Sequence, residues 1–207
     1  MAISYPLSLP TSVGIAKVDF TSSNAVAISQ SPFTYKQQIH TYSGQVLSAS
    51  VSIPPLRKEF VEPWVAFLLA LRGQTGTFLL GDPNNVTPRG QAATFPATPV
   101  VSSVSGGTIS MTGGSNNKEG WLKAGDYIQL GSGLTSTLHK VLLDVDTASN
   151  GSATIEVWPY PRGTVASGST ITVSDTKGLF RLATNQQSWS INESSAYGLS
   201  FDCIEAI

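Results

Sequence analysis

The chain has 207 residues, 41% of them hydrophobic and only 12% charged, with a formal net charge of −1. An average soluble domain is about 25% charged, so Ser, Thr, Gly and Asn must cover much of this surface, a composition suited to packing against neighbours. The Lys and Arg residues are scattered, which excludes a basic nucleic-acid patch, and no apolar run approaches the roughly 20 residues of a membrane-spanning helix.

Residues 1–12 carry Pro6 and Pro10 and predict an extended arm. They show neither the basic nor the apolar region of a secretory leader, so none is expected. Weak alternation predicts strands at 15–20 and 25–28, on either side of Thr21-Ser22-Ser23-Asn24. Residues 33–42 alternate as Phe33, Tyr35, Gln37, Ile39 and Thr41, and 45–53 place Leu47, Ala49, Val51 and Ile53 on one face. Together they predict a long hairpin turning at Tyr42-Ser43-Gly44-Gln45.

One clear helix follows, at about 61–72. Phe60, Trp64, Phe67, Leu68 and Leu71 recur on one helical face, and Val65 and Leu69 widen the stripe. Pro63 is assigned to the first turn, where a missing N–H costs little. Glu59 and Glu62 lie near the positive end of the dipole and Arg72 near the negative end, with Gly73 as the left-handed stop. Residues 77–80 then read as a strand closed by Gly81-Asp82-Pro83.

Prolines 83, 88, 96 and 99 make 84–99 a loop. Strands are predicted at 100–104 and 108–112 around Ser105-Gly106-Gly107, then at 127–130, 138–145, 154–158 and 170–173. Asn150-Gly151 supplies a hairpin signal before the strand at 154–158. Spacing of this kind suggests a small β-barrel or sandwich. Strands return at 178–182, 188–191 and 197–204. The expected fold class is mainly β: a β-sandwich body with one packed α-helix, formed by 1–90 and 176–207, plus an inserted small β-barrel or sandwich domain at 95–175.

No chemical fingerprint stands out, and the chain is expected not to be an enzyme. No G-x-S-x-G elbow occurs, and no glycine cluster sits between a strand and a helix, where a phosphate loop needs it. His40 and His139 lack partners at metal-ligand spacing, so no catalytic, metal or cofactor residues are assigned. Asp144 and Asp146 read as a solvated strand face. Cys203, the only cysteine, excludes an intrachain disulfide and reads as a buried hydrophobe. Trp158-Pro159-Tyr160-Pro161-Arg162 is the segment best suited to recognition. Trp158 and Tyr160 are candidates for a glycan or subunit contact, against the plainer reading of an aromatic plug between barrel and body.

Three groups of runs carry a family resemblance. They are Pro55-Leu56-Arg57-Lys58-Glu59-Phe60 with Trp64 through Gln74 and Gly76-Thr77-Phe78-Leu79-Leu80-Gly81-Asp82-Pro83; then Lys123 through Leu130 with Trp158-Pro159 and Lys177-Gly178-Leu179-Phe180-Arg181-Leu182; and Ser200 through Ala206. In these, most of 33–207 resembles the distal tail proteins of long-tailed bacteriophages. The resemblance implies a virion structural protein, assembled in the host cytoplasm. It implies a hexameric ring at the tail tip that joins the tail tube to the hub or baseplate and anchors receptor-binding or fibre proteins. The implied partners are further copies of the chain, the tail tube protein, the hub, and those receptor-binding or fibre proteins. Neither a membrane nor a specific nucleic acid is among them, although DNA passes through such a ring. Tyr35, Gln37 and Tyr42, on the predicted hairpin, are candidates for an inter-subunit contact. Other readings are a tail-tube or tail-completion protein, a carbohydrate-binding module using Trp158 and Tyr160, and a glycan hydrolase, which needs two carboxylates facing across a cleft.

Overall fold

The computed structural model describes residues 3–191 and 197–206. The first strands, β1 (Lys17–Gln30) and β2 (Gln37–Leu56), form one long antiparallel hairpin, followed by helix α1 (Lys58–Ala70) and β3 (Phe78–Leu80). Eight strands come next: β4 (Val100–Ser105), β5 (Thr108–Thr112), β6 (Lys118–Leu122), β7 (Tyr127–Leu130), β8 (Thr137–Val141), β9 (Val145–Thr147), β10 (Ala153–Trp158) and β11 (Ile171–Thr172). The chain ends with β12 (Gly178–Leu182), β13 (Trp189–Ile191) and β14 (Tyr197–Glu205). The fold is mainly β with one packed helix and one nearly closed barrel-like sheet, the class that the composition and alternation predict.

The first sheet runs β1-β2-β14-β12-β3, with β13 pairing β14. The proline-bearing arm adds to its far edge, where Leu7 N–H donates to Thr77 O (2.8 Å) and Leu79 N–H to Leu7 O (3.2 Å). Alternate residues Leu47, Ala49, Val51 and Ile53 of β2 and Leu199, Phe201 and Cys203 of β14 are buried on one face, as period-2 geometry requires. Helix α1 covers that face with Val61, Trp64, Val65, Phe67 and Leu68. Edge-to-face rings knit the layers, with centroids 5.5 Å apart for Phe67–Phe78 and 6.0 Å for Phe78–Phe201.

The second sheet runs β11-β7-β8-β10-β5-β4. Val101 N–H donates to Ser169 O and Ile171 N–H to Pro99 O, each at 2.8 Å, bringing its first and last strands together. Ile109, Met111, Ile128, Val141, Ile155 and Val157 fill its interior. The β6–β9 ribbon adds Trp121, Leu122 and Val145 to the same core. Tyr127 and Leu138 point out of the barrel and join the core of the first sheet.

Several local expectations are corrected. The hairpin does not turn at 42–45. β2 passes through these residues, and Ala25 alone stands opposite Tyr42, Ser43 and Gly44 between the pairs Asn24↔Gln45 and Val26↔Thr41. Gly44 marks a bulge: a Cβ there would stand 3.1 Å from that of Ala25. The turn is Ser31–Lys36, where Tyr35 N–H donates to Ser31 O (2.9 Å). The strands expected at 15–20 and 25–28 are one strand, β1. The helix starts before 61, which moves Pro63 into the second turn. Phe60 and Leu69 are 42% and 59% exposed, and Val61 takes the buried place instead. The left-handed stop begins at Arg72 (φ 51°) and continues at Gly73 (φ 66°).

Candidate functional site

Two regions collect the residues singled out above. The first is the distal half of the β1–β2 hairpin. Every residue from Thr21 to Gln30 and from Gln37 to Gly44 is exposed. β14 pairs with β2 only as far as Ser48, and β1 is the last strand of its sheet, so both backbone edges of the distal hairpin are free among the described residues. Cross-strand pairing sets Val26 beside Thr41 and Ile28 beside Ile39 on one face. Phe33, at the tip, is 92% exposed.

The predicted contact residues lie here. Tyr35 is in the tip with φ 55°, Gln37 opens β2 opposite Gln30, and Tyr42 sits in the bulge. Tyr42 packs edge-on against His40 at 4.6 Å between ring centroids. Lys36 is the only charged residue between Phe20 and Leu56. Sheet edges are normally protected from pairing by charge, proline or covering elements; this one has a single lysine and Pro32.

The second region is the seam between the sheets, built on Trp158-Pro159-Tyr160-Pro161-Arg162. Trp158 ends β10 with its indole turned to the body, where Nε1 donates to Asn24 Oδ1 (2.8 Å). Tyr160 N–H donates to Gln45 Oε1 (2.7 Å), and the Arg162 guanidinium donates to Gln45 O. Arg162 also lies 3.2 Å from Glu205 Oε2 at the end of β14. Burial pushes the Glu205 carboxyl above its ordinary range, partly offset by Arg162. The segment therefore joins the barrel to the body. The Tyr160 ring is 45% exposed and lies over Gly107, where a Cβ would come within 2.3 Å of it. Asn24, Gln45 and Glu205, the partners that hold the segment, carry no sequence signal, because they are distant in sequence and ordinary in type.

His139 supports the seam from behind. It is buried in β8, with Nδ1 2.6 Å from Pro159 O and Nε2 2.8 Å from Thr137 Oγ1. A carbonyl only accepts, so Nδ1 carries the proton and Nε2 accepts from the threonine hydroxyl. Burial lowers its pKa to about 4.

Two acidic groups have structural work. Asp126, fully buried, accepts from the backbone N–H groups of Lys123 (2.8 Å), Arg89 (3.0 Å) and Gly90 (3.3 Å). Asp144 is not on a strand face as expected. It lies between β8 and β9, accepting from Ala124 N–H (2.9 Å) and Lys123 Nζ (2.8 Å), and this lysine holds its carboxyl below the ordinary range. Among the described residues no group of three or more His, Cys, Asp or Glu is placed to hold a metal ion. No helix among them is long and apolar enough to cross a membrane.

No protein-family model matches the chain, and no curated protein matches it significantly.

Proposed function

We propose that this chain is a non-enzymatic structural subunit of a bacteriophage tail tip. In this reading it forms a closed ring that joins the tail tube to the hub and anchors receptor-binding or fibre proteins. The observation that carries the reading is the projecting hairpin: apolar side chains on one face, two free backbone edges and one charge. Such an element is a liability in an isolated subunit. In a ring, each copy lays it on a heterologous surface of the next, and closure stops growth. The low charge of the whole chain and the resemblance of residues 33–207 to distal tail proteins support the same reading.

Light scattering of the purified chain, with negative-stain images of the same sample, tests it. The expected result is a mass of about six subunits and particles with a central hole. A variant carrying Ile28→Lys and Ile39→Lys puts two like charges opposite each other on the exposed hairpin face. It should fold normally and run as a monomer. A parent protein that stays monomeric at high concentration, indistinguishable from the double variant, counts against a self-assembling ring.

A further inference from the structure

The seam also holds a cleft of about 380 Å³. Its barrel wall is one cross-strand row. The register Tyr127↔Lys140 and Trp158↔Lys140 sets these three side chains abreast on β7, β8 and β10. Their neighbours Ile128, Val141 and Val157 point into the barrel, so the row faces outward. The opposing wall is Phe20, Ser22 and Asn24, alternate residues on one face of β1. The Trp158–Asn24 hydrogen bond closes one end, and the Phe20 and Tyr127 rings, with centroids 6.4 Å apart, close the other. Leu142 stands at the rim, 47% exposed.

The polar lining is rich in donors. Lys140 Nζ donates to Tyr127 Oη at 3.2 Å and lies 4.5 Å from the ring centroid, with no carboxylate within 4.0 Å among the described residues. The Tyr127 oxygen accepts that bond, and its own hydrogen has no acceptor among the described residues, although the residue is 5% exposed. Asn24 uses its carbonyl oxygen on Trp158 and keeps two amide hydrogens. No Asp or Glu lines the cleft. The remaining lining is aromatic and aliphatic. A complementary ligand therefore carries a negative charge, several acceptors and an apolar face, and the cleft has room for a sugar ring. A bare phosphate or sulfate leaves the apolar half unfilled, and a neutral sugar leaves the ammonium unmatched.

We propose that this cleft binds an acidic sugar unit, a pyranose bearing a carboxylate. The carboxylate lies at Lys140 and Tyr127 Oη, the ring C–H face lies on Trp158 and Phe20, and hydroxyls lie at Asn24 and Ser22. The site is contained within one chain and does not depend on ring assembly.

Saturation-transfer NMR and calorimetry on the full chain test it, using glucuronate and galacturonate as probes, with glucose, galactose, benzoate and phosphate for comparison. Glucuronate or galacturonate should bind at least tenfold more tightly than its neutral counterpart and more weakly as salt is raised. Lys140→Gln, at an exposed position, should keep the parent melting temperature and lose that preference. Leu142→Trp, which fills the mouth of the cleft, should reduce saturation transfer to both acidic sugars. No binding of either uronate, equal binding by Lys140→Gln, or benzoate or phosphate matching the uronates would overturn the proposal. None of these outcomes bears on the ring, which the mass measurement decides separately.

Discussion

Asp126→Ala is expected to lower the unfolding free energy by about 3–5 kcal/mol, because three backbone donors, each costing about 1–3 kcal/mol when left unsatisfied in the interior, lose their acceptor. The carboxylate holds together two pieces of chain that have no ladder to join them. Lys123 N–H enters from the turn before β7, and Arg89 and Gly90 N–H come from the loop between β3 and β4. Alanine leaves these donors facing a dry interior without an acceptor. The side chain of Arg89, by contrast, is 63% exposed and its Nε lies 3.4 Å from the carboxylate. Arg89→Ala removes a solvent-screened ion pair and an exposed guanidinium bond to Ala124 O, and should cost under about 1 kcal/mol. Urea unfolding of the two variants measures the difference. Similar losses in both would mean that the charge pair, and not the backbone donors, is what Asp126 serves.

The second large effect is a loss of stability in mild acid that traces to His139. Its pKa is lowered by burial to about 4 in the folded protein, from the ordinary histidine value of 6.5. Between these values the unfolded chain binds a proton that the folded chain refuses, so stability rises with pH across this window and falls as the solution is acidified. The contribution is fully present above pH 6.5 and is lost progressively towards pH 4, amounting to about 3 kcal/mol at 1.36 kcal/mol per pH unit. Glu205 works the other way, because burial raises its carboxyl and the folded state gains its proton first. Comparison with a variant isolates the histidine. His139→Asn places an amide N–H near the position of Nδ1, where it can still donate to Pro159 O, and it does not titrate. Between pH 7 and pH 4 the parent should lose about 3 kcal/mol more than this variant. Parallel curves would show that His139 is protonated in the fold without penalty.

The legible parts of the fold are those in which one chain segment carries its own signal. The helix, the Gly106-Gly107 and Asn150-Gly151 turns, and the alternation of Leu47 through Ile53 all lie within short windows. The errors come from competition between two plausible local signals. Gly44 is a stronger turn marker than Ser31-Pro32, but here the glycine serves close strand approach at a bulge, and a hydrogen-bonded six-residue turn does the reversing. Phe60 lies on the apolar stripe of α1 but in its first turn, where the stripe gives way to solvent and Val61 is covered instead. The seam was legible only from one side. Trp158 and Tyr160 announce a recognition segment, whereas Asn24, Gln45 and Glu205 become its partners only through pairing across more than 40 residues of chain. Asp126 gave no signal of its role, since an Asp after a glycine turn reads as an ordinary surface residue until its donors are seen.

The pairing of β3 with β12 has an architectural consequence. Leu80 and Gly178 are register partners, so the barrel-bearing stretch leaves and re-enters the first sheet one strand spacing apart, about 5 Å. A turn of two or three residues spans that gap. The sheet is thus arranged as an ordinary hairpin whose loop has been expanded into a barrel. Over evolution such a loop can be lost, lengthened or exchanged while the strand order beneath it stays the same. Tyr127 and Leu138 reach back from the barrel into the core of the sheet, and Trp158 packs against that core, so these three tie one module to the other. Any replacement has to bring apolar side chains of its own to the same place.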